Sequence, residues 1–267
     1  MRSNALVAAM ILPMMFASQL AQAVTCGPAI SARSGATSAT ILELYTSEGC
    51  DSCPPADKWF STLNFARDGV VPLAFHVDYW DYIGWKDRFA KSLFTQRQRE
   101  AVTRQGGRVS YTPQLMLDGR DLRIWSHQAQ FQARVKEVAN RPPRAGMVLE
   151  AVAGSNTIDA SLSANVALAA DRADAVVFIA VTENNLSSRI TAGENRGVHL
   201  KHDHVVRELI GPIAVDAQDR AAGKFNLRRT IMLSSDWKRG DLSLVAFLQN
   251  SRNGEVLQAL SAPLCRG

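Results

Sequence analysis

Two cysteines separated by two residues, Cys50-Asp51-Ser52-Cys53, are the pair in this chain best suited to reactive chemistry. A C-x-x-C can pass between dithiol and disulfide, because the second thiol reaches back to a mixed disulfide formed on the first. On that logic Cys50 is the nucleophile and Cys53 the resolving thiol. The segment Thr40–Thr46 reads as a strand and Pro54-Pro55 as a helix start, so the pair falls at a strand-to-helix corner. Free backbone N–H groups and the positive dipole end at such a corner favour a thiolate. Glu48 and Asp51 put negative charge in the same turn and oppose it.

The elements that must hold this corner follow from hydrophobic spacing. Ala56, Trp59, Phe60, Leu63 and Ala66 recur at helical intervals until Gly69. Residues 70–77 form a continuous apolar run, as in a buried strand. A polar, Arg-rich helix is expected over 86–104, with Phe89 and Leu93 on one face and its charges solvated. Asp118-Gly119 between 114–117 and 122–125 predicts a hairpin, and Phe131, Val135 and Val138 mark a further helix. The order strand, helix, strand, helix, hairpin, helix predicts a thioredoxin-like domain over 39–141. In such folds a cis proline opens the strand facing the cysteine pair, and its preceding residue offers backbone groups to substrate. Thr112-Pro113 stands at that place and is the expected substrate-binding element.

Arg141-Pro142-Pro143-Arg144 reads as a linker. Beyond it, short alternating segments separated by Gly, Asn and Asp predict an antiparallel β-rich, sandwich-like domain over 145–264. The expected class is an α/β thioredoxin-like domain followed by that β-rich domain.

Composition sets the outer limits. The 267 residues are 46% hydrophobic and 21% charged with a net charge of +5, which describes a globular chain, not a disordered one. No clustered basic patch argues for nucleic acid. Residues 1–23 read as a secretory signal peptide: Arg2, an apolar stretch over 5–16, and Ala21-Gln22-Ala23 as the small-x-small cleavage site. Residues 24–38 then form an N-terminal segment, and no stable membrane insertion is expected after cleavage. The expected address is the periplasm or outside, where disulfides persist. Four cysteines allow three pairings; the economical one is Cys26–Cys265 as a structural staple, with Cys50–Cys53 separate.

Other residues qualify as site candidates. His76 and Asp78 alternate, share a face if extended, and with Asp81 could tune the cysteine pair or coordinate a metal, or form a hydrogen-bonded structural couple. Trp80, Tyr82 and Trp85 could line a peptide groove or pack beneath a loop. Asp57, just inside the helix, reads as a charge facing the dipole. His199, His202 and His204, with Glu194 or Asp203, are weak candidates for a Zn²⁺ or copper site, since no simple conformation presents all three histidines together.

The run Leu42-Glu-Leu-Tyr-Thr-Ser-Glu-Gly-Cys-Asp-Ser-Cys-Pro-Pro-Ala-Asp57 resembles the signature of secreted bacterial proteins grouped as domain-of-unknown-function family 1223. His76-Val-Asp-Tyr-Trp-Asp-Tyr-Ile-Gly-Trp85 and Tyr111-Thr-Pro-Gln114 are similar to its further motifs. Glu194-Asn-Arg-Gly197, Val205-Val-Arg207 and Val245-Ala-Phe-Leu-Gln249 extend the resemblance through the second half. It implies a thioredoxin-like domain with a β-rich partner and no established reaction.

The function expected from these readings is thiol–disulfide exchange on protein or peptide substrates, with an unidentified redox partner and no organic cofactor. Two alternatives stand beside it. Cys50, Cys53 and His76 could form a soft Cu(I) site, or the bridge could be inert in a non-catalytic binding module.

Overall fold

The computed structural model describes residues 26, 27, 29–64, 69–214 and 217–265; the expected signal peptide and Ala66 lie outside them. Strand β1 (Ala29–Arg33) is followed by β2 (Thr40–Thr46), helix α1 (Pro54–Phe60) and β3 (Val70–His76). Next come α2 (Ser92–Arg104), the hairpin β4 (Gln114–Leu117) and β5 (Arg120–Asp121), and α3 (Gln128–Ala139). Both β2 and β3 are buried along their whole length, which explains their unbroken apolar character. They pair in parallel, and β4 runs antiparallel to β2 on its other side. Helices α1 and α3 pack on one face through Ala56, Phe60, Phe131, Val135 and Val138. Phe94, Ala101 and Val102 of α2 cover the other face.

Two local expectations need correction. The helix expected over 86–104 begins only at Ser92. The Asp87 carboxylate accepts from the backbone N–H groups of Glu48 and Phe89, and this holds its segment in turns instead of a helix. Phe89 is buried outside the helix, while Leu93 is exposed and Phe94 takes the core position. The second hairpin strand starts directly after Asp118-Gly119 and ends at Asp121, before 122–125. Asp118 and Gly119 both have positive φ, as a two-residue turn demands. Gly119 also abuts the Gly254 carbonyl so closely that no Cβ would fit there.

The remaining strands are β6 (Ala145–Ala153), β7 (Thr157–Val166), β8 (Ala175–Glu183), β9 (Leu186–Arg189) and β10 (His199–His202). After them come β11 (Val205–Ala214), β12 (Lys224–Met232), β13 (Leu242–Asn250) and β14 (Val256–Pro263). A four-stranded sheet, ordered β1-β6-β7-β12, packs against β8, β13 and β14 across an apolar core that includes Leu149, Leu162, Ile179 and Leu244. The sequence break at 141–144 does not divide two sheets. One eight-stranded sheet, ordered β14-β13-β8-β11-β3-β2-β4-β5, runs through both halves. Its seam is narrow, with Val205 of β11 opposite Ala74 of β3.

Arg97 reinforces that seam and corrects the expectation of a solvated α2 surface. It is 6% exposed, donates to Glu43 at 2.6 Å, and lies over the rings of Phe75, Phe178 and Phe247. Cys26 is bonded to Cys265, tying the segment before β1 to the end of β14. Among the described residues no helix is long and apolar enough to cross a membrane. Two disulfides and that observation are consistent with a secreted protein.

Candidate functional site

The Cys50–Cys53 bridge closes the turn between β2 and α1. Cys53 directly precedes the helix and Pro54 opens it, where a missing N–H leaves no bond unmade. Gly49 packs against Trp80 and Ile83 from the loop after β3. Trp80 in turn donates its Nε1 hydrogen to Thr112 Oγ1 at 2.7 Å. The Thr112-Pro113 peptide is cis and leads straight into β4. Tyr111, Pro113, Leu115, Leu122, Arg123 and Trp125 line a groove beside it.

Both cysteines are fully buried. The cover comes from the second half of the chain, in the loop between β9 and β10. Asn195 is 5% exposed and its Nδ2 donates to the carbonyl oxygens of both Glu48 and Cys50, each at 2.9 Å. The Asp51 backbone N–H donates to Glu194 Oε2 at 3.3 Å. Gly193 packs against Trp85 and Ile83. A hairpin from the β-rich half thus caps the C-x-x-C turn.

Around this turn lies a cluster of buried ionisable groups. Glu48, Asp57, His76, Asp87 and His202 are all buried. His76 Nδ1 and Asp87 Oδ2 are 2.6 Å apart. The Nε2 of His202 lies 3.4 Å from Glu48 Oε1, and its Nδ1 lies 3.9 Å from Asp57 Oδ2. The rings of His76 and His202 meet edge to face at 4.9 Å. Trp85 Nε1 donates to Glu48 Oε2 at 2.8 Å. Glu48 Oε1, Asp57 Oδ2, His76 Nε2 and His202 Nε2 make no aligned hydrogen bond, an uncommon concentration of unmatched polar atoms in a protein interior.

The environment drives these groups apart in acidity. Burial raises Asp57, and the nearby histidines offset it only in part. For Glu48 burial acts in the same direction, but hydrogen bonding toward His202, Ser188 and Trp85 leaves it below the ordinary carboxylate value. Burial also opposes ionisation of Asp87, yet His76 and the two backbone donors lower it. Burial would discharge His76, but Asp87 and the other carboxylates raise it. Groups of opposed acidity gathered at one place are a feature that functional sites share with structural ion-pair networks.

Several expected residues lie elsewhere. His76 pairs with Asp87 and not with Asp78, because β3 ends at His76 and the alternation stops. Asp78 instead accepts from Thr95 Oγ1 at 2.5 Å. Asp57 stands in the first turn of α1 but points into the buried cluster. Tyr82 is exposed, whereas Trp80 and Trp85 bind under the capped turn. The three histidines separate: His199 is exposed, His202 joins the cluster, and His204, at positive φ, faces the Leu63 carbonyl. Burial holds His204 below its usual pKa. Among the described residues no group of three or more His, Cys, Asp or Glu is arranged to hold a metal ion, and Cys50, Cys53 and His76 do not make one.

Sequence reasoning gave no role to Asp87 or Asn195, and Glu194 entered only as a weak metal candidate beside the histidines. The only signal was the place of 194–197 among the resemblance motifs.

A family model described as a protein of unknown function, DUF1223, matches residues 41–249. The chain belongs to this family. The match spans the C-x-x-C turn, the Thr112-Pro113 peptide and the capping loop alike, so DUF1223 includes both halves of the site. No curated protein matches the chain. Among solved structures, it is similar to a protein of Agrobacterium tumefaciens at 20% identity and a TM-score of 0.57, covering 83% of this chain and 92% of that one. It is also similar to HBP35 of Porphyromonas gingivalis at 16% identity and a TM-score of 0.64, covering 86% and 76% respectively. At such identities the DUF1223 chain shares a fold with these proteins, and the likeness says nothing of activity.

Proposed function

We propose that this chain is a secreted or periplasmic thiol–disulfide exchange protein, thioredoxin-like in its first half, acting on protein or peptide substrates. The observation that carries the reading is the Cys50–Cys53 bridge at a β-to-α turn, with buried ionisable groups on the adjoining residues Glu48 and Asp57. The order β3-β2-β4-β5, with helices on both faces, supports the thioredoxin-like assignment.

In the reduced state the Cys50 thiolate attacks one sulfur of a substrate disulfide, and the other substrate sulfur leaves as a thiolate. The Cys53 thiolate then attacks Cys50 Sγ, breaking the mixed disulfide and releasing the second substrate sulfur. Two electrons pass from the cysteine pair to the substrate. The protons given up by Cys50 and Cys53 end on the two released thiols. A dithiol protein partner returns the pair to its reduced state by the same exchange, and the opposite direction uses the same steps in reverse. Thr112-Pro113 and its groove receive the substrate chain in this reading.

The test is the midpoint potential of the Cys50–Cys53 pair in the mature protein, by thiol trapping across a glutathione series. A reversible value between roughly −270 and −120 mV is expected of an exchanger. A bridge still closed below about −300 mV marks a structural disulfide and overturns the reading in favour of a non-catalytic binding module.

A further inference from the structure

The cap over the C-x-x-C turn is built from groups that match its backbone. Two carbonyl oxygens, of Glu48 and Cys50, accept from Asn195 Nδ2, and one N–H, of Asp51, donates to Glu194 Oε2. Acceptor and donor groups in succession along a backbone are what an extended peptide satisfies when it pairs with one. The capping loop supplies the same pattern from two side chains, and it leaves both sulfurs buried. A small thiol such as dithiothreitol has hydroxyls but no backbone to offer N–H and C=O groups at fixed spacing; an extended peptide carries them in its backbone.

We infer that Glu194 and Asn195 are an internal stand-in for substrate backbone, and that they select extended, cysteine-bearing peptide segments over small thiols. This rests on the exchange reading above and names its substrate class. When the cap is displaced, a peptide N–H takes one of the two carbonyls that Asn195 served, of Glu48 or Cys50, and a peptide carbonyl replaces Glu194 at the Asp51 N–H. A small thiol must open the cap with no backbone to put in its place.

The assignment predicts selectivity that depends on the cap. The oxidised full chain is mixed with dithiothreitol or with an unstructured peptide carrying two cysteines, and opening of the Cys50–Cys53 bridge is followed by acid quench and thiol trapping. In the wild-type chain the peptide is expected to open the bridge at least ~10-fold faster per thiolate than dithiothreitol, a factor equal to about 1.4 kcal/mol. In Asn195→Ala dithiothreitol gains about that factor and the ratio falls toward one. Glu194→Ala, which removes a more peripheral contact, shifts the ratio the same way by about half on a logarithmic scale. It reports if Asn195→Ala does not fold. Leu162→Ala, in the distant sandwich core, is the control: it lowers global stability and leaves the ratio unchanged. An unchanged ratio in both cap variants overturns the inference while leaving the exchange reading intact. A bridge that neither reagent opens in any folded variant overturns the exchange reading itself.

Discussion

Two of the buried charge clusters among the described residues are built on opposite principles. At the seam between the halves, Arg97 meets Glu43, Glu43 also accepts from the Tyr45 hydroxyl at 3.1 Å, and three aromatic rings surround the guanidinium. No buried side-chain polar atom of Glu43 or Arg97 is left without a bond. Next to the C-x-x-C turn, Asp57 Oδ2 and His76 Nε2 lack a partner, and Glu48 Oε1 and His202 Nε2 face each other at 3.4 Å without an aligned hydrogen bond. A closed network fixes one arrangement and rigidifies a core. An open one is costly in stability and retains protonation states that can change. The first cluster joins two parts of a sheet, whereas the second keeps groups whose protonation can change.

That contrast can be broken at its strongest point first. Glu43→Gln leaves the buried Arg97 charge without its counterpart, and the expected cost is about 3–5 kcal/mol, read as a shift of the urea midpoint. A loss under about 1 kcal/mol would show that the seam is not closed in the sense argued here.

The second cluster gives smaller effects that depend on pH. Asp87→Asn removes the partner that raises His76. In the wild-type protein the stability tied to His76 is fully present below about pH 6.5 and is lost as pH rises through the raised folded value. The variant is expected to lose about 1–2 kcal/mol at pH 6 and to show a flatter alkaline limb in denaturant titrations. A parallel loss at every pH would place the effect in packing alone.

The smallest effect is expected at Asp57, where burial disfavours the charge. Stability associated with this carboxyl falls as pH rises from about 3.9 through its raised folded value, the opposite sense to Asp87. Asp57→Asn removes that dependence and is expected to be neutral, or stabilising by up to about 1 kcal/mol, at pH 7. A loss comparable to that of Asp87→Asn would mean that the charge is paired after all.

Much of the framework was legible because it rests on local rules. The run from Thr40 to Thr46, the prolines at the head of α1, the Asp118-Gly119 turn and the alternation of β6 and β7 each carry their own signature. The continuity of the large sheet was not legible. It depends on the start of β11 meeting β3, and no periodicity marks which edge a strand will join. The site divides in the same way. Cys50 and Cys53 announce themselves by spacing, and Thr112-Pro113 by its place before β4. Asn195 reaches the turn from 145 residues away, and Asp87 displaces Asp78 as partner of His76 only because the chain turns where a helix was expected. Polar groups that recognise carbonyl oxygens across such distances leave no pattern in the neighbouring sequence.

The bond between Cys26 and Cys265 joins positions 239 residues apart, so nearly the whole chain is a covalent ring. A single protease cut within that ring, or a new pair of ends opened at a surface loop, leaves one molecule and not two. Release of fragments needs both a cut and a reductant. The same closure shortens the accessible paths of the unfolded chain, which in the loop-entropy account places refolding at an advantage over any form with that bond reduced. Electrophoresis of a nicked sample with and without thiol would show the ring directly.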